Sequence, residues 1–322
     1  MKELFKQLDK YIDNHDDIVI MTHARCDLDG MSSAICLYEI ILSKGKNVCI
    51  VKPCEKFNRS MKKGFKLLES NNVQVCFKDE NEILDGSNKL LIIVDTQKRE
   101  LVESTKVLDG ISDKIIIDHH ISGDDYIDDV LYQYNDMNKS SVVEIMCEYL
   151  IYLKFMVQPL VLTLMLGGMV TDTSSFSLKT TYKTFEMAAF LAKNGANFGD
   201  VQNLFKEPKE ELIKRYEFIN NSMEISKNVL MCKMDDKVHS NVDIALLAKE
   251  LLKFENIEVS FAIGHLSKKI IGVSARSDGN VNVGKVMEKL GGGGHFTDAA
   301  CQFKDKSIDE VALMVEKAFK EA

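Results

Sequence analysis

The sequence has few of the features that mark secreted, disordered or membrane-spanning proteins. It contains only three prolines in 322 residues and no Gly/Ser-rich tract, which excludes long flexible linkers. Its eight cysteines form no Cys-x-x-Cys pair, so we expect reduced, mostly buried thiols and no disulfide framework. The amphipathic N-terminal segment has no apolar signal core, and Gln158 and Pro159 interrupt the longest apolar stretch, near residues 155–170. We therefore expect a soluble, cytoplasmic protein.

The chain also lacks an excess of positive charge. Its formal net charge of −8 argues against broad electrostatic binding to nucleic acid. A small anionic substrate is still compatible with this charge, because bound divalent cations can reverse the sign of the local potential. The length of 322 residues is too great for one hydrophobic core and suits two domains.

Short β-branched runs alternate with amphipathic segments through the first half, which is typical of a mainly parallel sheet covered by helices on both faces. Strands are predicted at 18–21, 47–52, 73–77, 90–94 and 114–117. Helices are predicted at 32–42, 140–154, 159–171, 181–193 and 206–227. A second αβ unit follows, with strands at 229–234, 259–263 and 270–275 and helices at 243–254 and 283–290. The predicted fold class is α/β with a smaller α/β C-terminal domain, and the predicted boundaries are 1–195, a helical linker 196–226, and 227–322.

Side chains of the kinds that bind metals follow the apolar runs of the first half. They are His23, Asp27 and Asp29 after the first strand, Asp95 after 90–94, Asp118-His119-His120 after 115–117, and Asp172 after 167–171. Ligands of open parallel sheets collect at the carboxyl ends of the strands, so these side chains are expected to lie together. Several carboxylates in one pocket would repel one another unless metal charge compensates. The pattern predicts one or two divalent ions, and its mixed nitrogen and oxygen donors suit Mn²⁺ better than a thiolate zinc site.

Most of these residues also have a structural explanation when each is taken alone. Asp29 could cap the following helix, with Ser32 and Ser33 in its first turn. Asp95 could solvate the end of its strand, and Asp172 could cap a turn. Two adjacent imidazoles at the end of an apolar strand have few structural explanations, so the triplet favours a functional site.

The second half carries a pattern typical of anion binding. The run Gly291–Gly294 has more glycines than a helix C-cap needs, and it would let backbone N–H groups approach a phosphate or nucleobase, with His295 as a further donor. Arg276 follows a predicted strand and could clamp a phosphate through two N–H groups. A flexible hairpin beside an exposed arginine is the alternative. The remaining histidines are interpreted as structural: His15 on a helix surface, His239 in a polar loop, and His265 at a strand end.

With these residues, the chain resembles the DHH family of metal-dependent phosphoesterases, in which a DHH domain precedes a smaller DHH-associated domain. The resemblance spans nearly the full length. The stretches VTDTSSFSLKT and VSARSDGNVNVGKVMEKLGGGGHFTDAA are most similar to the catalytic domains of bacterial cyclic-di-AMP phosphodiesterases. The chain departs from the family pattern at Cys26, Gly30 and Cys301, where proline, alanine and glycine are common. None of these departures removes a ligand.

The resemblance implies two Mn²⁺ ions per subunit, with Asp95 bridging them. It assigns one ion to His23, Asp27 and Asp95, and the other to Asp29, Asp95, His119 and Asp172. It also implies that Asp118 orients His119 and that His120 contacts the scissile phosphate. The implied substrate-binding residues are Arg276, Ser277, Gly292, Gly293, Gly294 and His295. The implied reaction is hydrolysis of cyclic-di-AMP, through pApA toward AMP, by a water that two metals activate.

Other functions are compatible with the same residues. A linear-dinucleotide or short-oligoribonucleotide hydrolase would use the same metal site, and a catalytically silent nucleotide-binding sensor is a third interpretation. Manganese pyrophosphatases share the motifs of the first domain, but Gly291–His295 argues against that branch. The expected partners are a cyclic or linear dinucleotide and, for the second enzyme, short RNA. No membrane partner is expected, and a homodimer stays open.

Overall fold

The apolar runs of the first half form the strands of one parallel sheet. In the computed structural model, which describes residues 2–54, 57–84, 88–120 and 126–321, the strands are β1 (Asp17–Met21), β2 (Asn47–Val51), β3 (Phe77–Lys78), β4 (Lys89–Val94), β5 (Asp113–Asp118) and β6 (Tyr132–Asn135). They pair in parallel in the order β3-β2-β1-β4-β5-β6.

Helices cover both faces of this sheet. They are α1 (Lys2–Asn14), α2 (Leu28–Ser43), α3 (Arg59–Ser70), α4 (Glu80–Ile83), α5 (Thr105–Gly110), α6 (Val142–Leu153), α7 (Pro159–Asp172), α8 (Tyr182–Lys193) and α9 (Phe198–Phe205). Successive strand residues point to opposite faces, so Ile18 and Ile20 join one core with α2, α6 and α7, whereas Val19 and Met21 join another with α5. The strands are therefore apolar on both faces, and the predicted α/β class is confirmed.

The second part of the chain forms a mixed sheet with its own two cores. Its strands are β7 (Met223–Ser226), β8 (Val229–Val238), β9 (Val259–Ser267), β10 (Ile270–Ser277), β11 (Gly293–Gly294) and β12 (Asp298–Lys304), in the order β11-β12-β10-β9-β8-β7. Its helices are α10 (Lys209–Asn220), α11 (Asn241–Leu251), α12 (Val283–Lys289) and α13 (Ile308–Lys320). α12 and α13 pack on one face and α11 on the other. The smaller C-terminal α/β domain is thus confirmed.

The chain divides into two compact units, Met1–Lys206 and Glu207–Ala322. The segment predicted as a linker, 196–226, is split between them, because α9 packs on α3 and α7 of the first unit whereas α10 belongs to the second. The boundaries given above stay a prediction. Within the described ranges, none of the helices is both long and apolar enough to cross a membrane.

Some elements differ from their predictions. The strand predicted at 73–77 is observed at Phe77–Lys78, because β3 is an edge strand that pairs only where β2 reaches it. The helix predicted over 206–227 ends at Asn220, and β7 begins three residues later. The elements that were not predicted are strands β6, β7, β11 and β12 and helices α3, α4, α5 and α13.

The three isolated histidines are structural, but not all where expected. His15 was expected at the surface and is buried: its Nδ1 lies 2.7 Å from the Tyr11 carbonyl and its Nε2 lies 3.0 Å from Asp113 Oδ2, which ties α1 to β5. His239 lies in a loop but is buried, with its ring 2.7 Å from an Asp235 oxygen. His265 lies inside β9 rather than at its end.

Candidate metal centre and anion pocket

The predicted metal ligands lie where the strand order of the first sheet reverses. β1 and β4 are neighbours in the sheet, although β2 and β3 lie between them in sequence, and such a switch point opens a crevice at the carboxyl ends of the strands. His23 follows β1, Asp95 follows β4 directly, and Asp118 ends β5. Asp95 has a φ of +67°, a left-handed conformation that costs a non-glycine residue on the order of 1–3 kcal/mol. Such strain is typical of functional positions.

His23, Asp27 and Asp95 form one group of potential ligands. One donor atom from each lies within 4.8 Å of the others. His23 Nε2 is 3.4 Å from Asp95 Oδ2. Asp27 is the N-cap of α2, and its Oδ1 accepts hydrogen bonds from the backbone N–H groups of Asp29 and Gly30 at 2.8 and 3.3 Å. The helix start therefore fixes this carboxylate through one of its oxygens.

Asp29, His119 and Asp172 form a second group, with donor atoms within the same 4.8 Å limit. His119 Nε2 lies 3.1 Å from Asp172 Oδ2 and 3.9 Å from Asp29 Oδ2. It also lies 3.5 Å from Asp95 Oδ1. The two oxygens of Asp95 thus face different groups, Oδ2 toward the first and Oδ1 toward the second. This is the arrangement that a bridging carboxylate requires.

A helix that begins far along the chain anchors Asp29. Its Oδ2 and Oδ1 accept hydrogen bonds from the backbone N–H groups of Val142 and Val143, at 2.8 and 2.9 Å. These N–H groups belong to the first turn of α6, where backbone N–H groups have no acceptor within the helix. The alternative that Asp29 caps its own helix is wrong, since Asp27 has that place.

Asp118 contacts His120, whereas the resemblance implied that it orients His119. Its Oδ1 accepts hydrogen bonds from the backbone N–H groups of His119 and His120, at 2.8 and 3.3 Å, and lies 2.8 Å from His120 Nδ1. The ring of His119 meets a different acceptor: its Nδ1 is 3.3 Å from the carbonyl oxygen of Lys139. A proton on Nδ1 leaves Nε2 free to bind a metal. His120 is half exposed, with Nδ1 3.6 Å from Asp95 Oδ1, and it forms a third group of potential ligands with Asp95 and His119.

The electrostatics of the cluster favour the binding of cations. Burial acts to lower the pKa of His23, but contact with Asp95 outweighs it and raises the pKa to about 9. Burial likewise opposes protonation of His119, yet Asp172 and Asp95 raise its pKa to about 11. Burial, with repulsion from Asp95, raises the pKa of Asp27 to about 7. The raised pKa values thus reflect an excess of buried negative charge, which a bound cation would compensate.

Unpaired donor atoms show that the residues fit a divalent ion. His119 Nε2, Asp95 Oδ1 and Asp118 Oδ2 are buried and make no hydrogen bond within the described part of the chain. The short approaches of His119 Nε2 to carboxylates lack hydrogen-bond geometry. Each buried atom of this kind costs about 1–3 kcal/mol. Coordination of Mn²⁺ or a similar ion by imidazole and carboxylate donors would satisfy the first two, which belong to the groups described above.

The second unit contains a cavity of about 420 Å³ on the sheet face beside α11. Small residues line its floor, among them Gly272 and Ser274 of β10 and Ala300 of β12. Arg276 lies in this wall, with Nε 2.8 Å from Asp298 Oδ1 and Nη1 donating to Ser274 Oγ at 3.0 Å. Small floor residues allow a planar ring to approach the backbone, and the volume is within the range of nucleotide-sized sites.

Half of the predicted substrate-binding residues line this cavity. Arg276, Gly293 and Gly294 do, whereas Ser277, Gly292 and His295 do not. Ser277 Oγ accepts hydrogen bonds from the backbone of the turn that follows β10. Gly292 packs so closely on β12 that a Cβ there would overlap the Ala300 carbonyl. His295 is exposed, and its backbone N–H donates to the Asp298 carbonyl at 2.7 Å.

Several residues around both sites were not predicted from the sequence. Asn241, Asp298 and Gln302 offer polar groups to the cavity. Asp298 and Gln302 share the exposed face of β12, which the weak alternation of hydrophobicity along this segment does not indicate. Lys139 and Glu144 lie near His119 and Asp29. The helix that contains Glu144 is predicted at 140–154, but no signal in the sequence connects its first turn with the metal site.

Comparisons with known proteins agree with this arrangement. A model of the DHH family N-terminal domain matches residues 17–169, and a model of the DHHA1 domain matches residues 226–321. The chain is 33% identical over 320 residues to the cyclic-di-AMP phosphodiesterase GdpP of Geobacillus thermodenitrificans, which covers 97% of this chain and 48% of that protein. The chain spans about half the length of the curated relatives of this type that it matches.

A more distant relative has a similar length. The chain is 24% identical over 307 residues to the bifunctional oligoribonuclease and PAP phosphatase NrnA of Mycoplasma pneumoniae, covering 92% of this chain and 90% of that protein. The crystal structure of an exopolyphosphatase-related protein from Bacteroides fragilis superposes with a TM-score of 0.82 at 17% identity, covering 100% of this chain and 96% of that one. At that identity the superposition establishes a shared fold.

Proposed function

This chain belongs to the DHH family, with a DHH N-terminal domain followed by a DHHA1 domain, and from that membership we propose that it is a phosphodiesterase that uses two divalent ions, Mn²⁺ by preference. The observation that carries the proposal is Asp95, whose two oxygens face separate groups of imidazole and carboxylate donors. A single-ion site would not need a buried carboxylate directed both ways.

The proposed roles follow from these contacts. His23, Asp27 and Asp95 would hold one ion, and Asp29, His119 and Asp172 would hold the other together with Asp95, whose Oδ1 lies 3.5 Å from His119 Nε2. Bound there, the ions would polarise the phosphate and lower the pKa of an attacking water. The chain's own part is to keep His119 Nε2 unprotonated toward the metal and to present His120, held by Asp118, to the phosphate. No serine or cysteine nucleophile is needed.

We propose cyclic-di-AMP as the substrate, hydrolysed first to pApA and then toward AMP. Two observations support this choice: the 33% identity to a cyclic-di-AMP phosphodiesterase, and a cavity of about 420 Å³ with Arg276 in its wall. Arg276 would pair with a phosphate of the substrate, and Gly293 and Gly294 would approach it through their backbone.

The second candidate is a hydrolase of linear dinucleotides and short oligoribonucleotides. It is favoured by the likeness to the oligoribonuclease and PAP phosphatase, because that relative matches this chain over nine-tenths of both lengths. The two candidates differ only in whether the cyclic dinucleotide is opened. Both would use the same metal site.

Product analysis distinguishes the two candidates. The protein is incubated with Mn²⁺ and, separately, with cyclic-di-AMP, pApA, pGpG and short RNA, and products are followed by chromatography. Appearance of pApA and then AMP from cyclic-di-AMP supports the first candidate. Turnover of linear substrates alone would replace it with the second. No turnover of any substrate would refute both and support a nucleotide-binding sensor.

Variants of Arg276 test the role of the cavity. Arg276→Ala is expected to raise KM for the dinucleotide about 10-fold or more and to leave kcat nearly unchanged, since a phosphate contact away from the metals contributes to binding. Lys306→Ala, which removes a surface charge outside the cavity, is the matched control. An equal KM in both variants would contradict the assignment.

A further inference from the structure

Glu144 is a buried carboxylate that the chemistry described above does not use. It lies in the first turn of α6 and is 1% exposed. Its Oε1 accepts a hydrogen bond from Lys139 Nζ at 3.1 Å. Its Oε2 accepts from Ser140 N at 3.2 Å, from Ser140 Oγ at 2.8 Å and from Thr184 Oγ1 at 3.1 Å. Four donors therefore converge on one side chain.

Such a buried charge persists only when it is compensated, because burying an unpaired carboxylate is strongly unfavourable. Lys139 supplies the opposite charge, and its Nζ also lies 2.8 Å from Glu148 Oε1. Burial opposes protonation of Lys139, but Glu148 and Glu144 outweigh it and raise its pKa. Residues Lys139 and Ser140 are thus fixed against α6, and Thr184 links them to α8.

The fixed segment contacts two of the candidate metal ligands. The carbonyl oxygen of Lys139 is the acceptor beside His119 Nδ1, at 3.3 Å. The first turn of α6, which contains Glu144, presents its backbone N–H groups to both oxygens of Asp29. α8, to which Thr184 belongs, follows the segment that begins after Asp172. The His23 and Asp27 side chains make no contact with this network within the described residues.

We propose that Glu144 is a positioning residue for the Asp29/His119/Asp172 group: it fixes the Lys139 carbonyl and the start of α6, and so sets the affinity of that group for a divalent cation without affecting the His23/Asp27/Asp95 group. The inference rests on the proposed two-ion function and assigns a control of affinity to one ion only. Residues that orient ligating histidines typically change metal affinity 10- to 100-fold when they are removed.

A purely local role in starting α6 does not account for these contacts. Ser141 already caps the helix, because its Oγ accepts a hydrogen bond from Glu144 N at 3.2 Å. In a capping box the glutamate would return to the N–H of Ser141. Here it reaches one residue further back, to Ser140, and pairs with Lys139.

Calorimetric titration of the metal-free protein with MnCl₂ tests the proposal without reference to activity. Wild type is expected to bind two ions, with His23→Asn and Asp172→Asn identifying the two steps. Glu144→Gln is expected to raise the Kd of the step lost in Asp172→Asn about 10-fold or more and to leave the other within twofold. Glu148→Gln is the matched control: it removes the negative charge of the second partner of Lys139 but none of the bonds to Ser140 or Thr184, and both steps should stay within twofold.

A spectroscopic measurement tests the geometry directly. In wild type the Nδ1–H proton of His119, facing the Lys139 carbonyl, should exchange slowly with water, and its signal should be absent in His119→Asn. Glu144→Gln should accelerate its exchange, whereas Glu148→Gln should not. If Glu144→Gln does not fold, Thr184→Val removes one hydrogen bond to Glu144 and should raise the same Kd about threefold.

The outcomes separate this inference from the proposed function. Unchanged steps in Glu144→Gln, or an equal loss at both steps, would overturn the inference while two bound ions kept the function intact. A wild-type protein that binds no Mn²⁺ would overturn both. A loss confined to the second step, together with faster exchange of the His119 proton, supports the inference.

Discussion

Replacing Asp118 with alanine should slow catalysis, because Asp118 orients its neighbour His120. Asp118 Oδ1 receives both backbone N–H groups after β5 and lies 2.8 Å from His120 Nδ1, while Asp118 belongs to neither group of ligands about Asp95. Asp118→Ala therefore frees the His120 ring and leaves the metal donors in place. If His120 donates to the phosphate in the transition state, its loss of orientation should lower kcat by about 10²–10³, the effect of removing one such donor.

The effect on stability is expected to be smaller. The buried N–H of His119 loses its acceptor, which costs about 1–3 kcal/mol, and this corresponds to a fall in Tm of about 2–12 °C for a unit of this size. Removing a carboxylate whose Oδ2 is buried without a hydrogen-bond partner in the described part of the chain offsets part of that cost. We therefore expect a drop near the lower end of this range and a folded protein.

A double-mutant cycle provides the decisive assay. kcat is measured at saturating Mn²⁺ for Asp118→Ala, His120→Ala and the double variant. If Asp118 acts through His120, the double variant should be no slower than His120→Ala, within about threefold. If instead the two losses of kcat multiply, to about 10⁴–10⁶ in the double variant, the reasoning is refuted, because Asp118 and His120 would then have independent roles. Calorimetric Mn²⁺ affinities of Asp118→Ala within twofold of wild type serve as the control.

Three further expectations follow from the packing and charge of the sites. Mn²⁺ at 100 times its Kd should stabilise the wild-type protein by about 2.7 kcal/mol per site, which a thermal-shift assay measures as a rise in Tm. Asp95→Asn should lose most of this rise. If the rise persisted in full, the bridging role of Asp95 would be contradicted. Gly168→Ala should lower Tm and raise the Mn²⁺ concentration needed for binding, because its Cβ would lie 2.8 Å from the backbone of α2. Gly64→Ala, whose Cβ contacts would be at 3.4 Å, should be tolerated. Equal Tm values for the two variants would show that the helices can separate freely. Gly292→Ala should destabilise the second unit by about 1–3 kcal/mol because its Cβ would overlap β12, whereas a Cβ at Gly293 meets nothing within 4 Å, so a thermal scan that finds the two variants alike would count against this packing.

The sequence predicts much of the first sheet because its strands are buried on both faces. The runs 90–94 and 115–117 are apolar throughout, so they can be recognised as strands without a polar–apolar alternation. In the structure they lie within β4 and β5. β12 is different: Ala299 and Cys301 are small, so the alternation of the strand is weak in hydrophobicity although it is clear in burial. Edge strand β3 is short because only its pairing with β2 defines it, and pairing is a tertiary property.

In the candidate metal site, too, the sequence predicts where residues lie but not the tertiary contacts of their side chains. Residue types and their positions after apolar runs predict that the six candidate ligands gather at one edge of the sheet, and the structure brings these side chains together. The partners of individual side chains were not predictable. Asp29 is held by a helix 113 residues further on, and no local pattern connects it to Val142. Asp118 faces His120 instead of the His119 ring because of the backbone path after β5, which sequence spacing does not specify.

The position of the ligands along the chain has a consequence for how such proteins can diversify. All candidate metal ligands lie between His23 and Asp172, in the first unit, whereas the cavity with Arg276 belongs wholly to the second. Under the proposed function, recombination downstream of Lys206 would exchange the candidate substrate cavity and leave the candidate metal ligands unaltered. Substitutions in β10, β11 and β12 would then change which ligand is bound without changing the residues proposed to hold the metals.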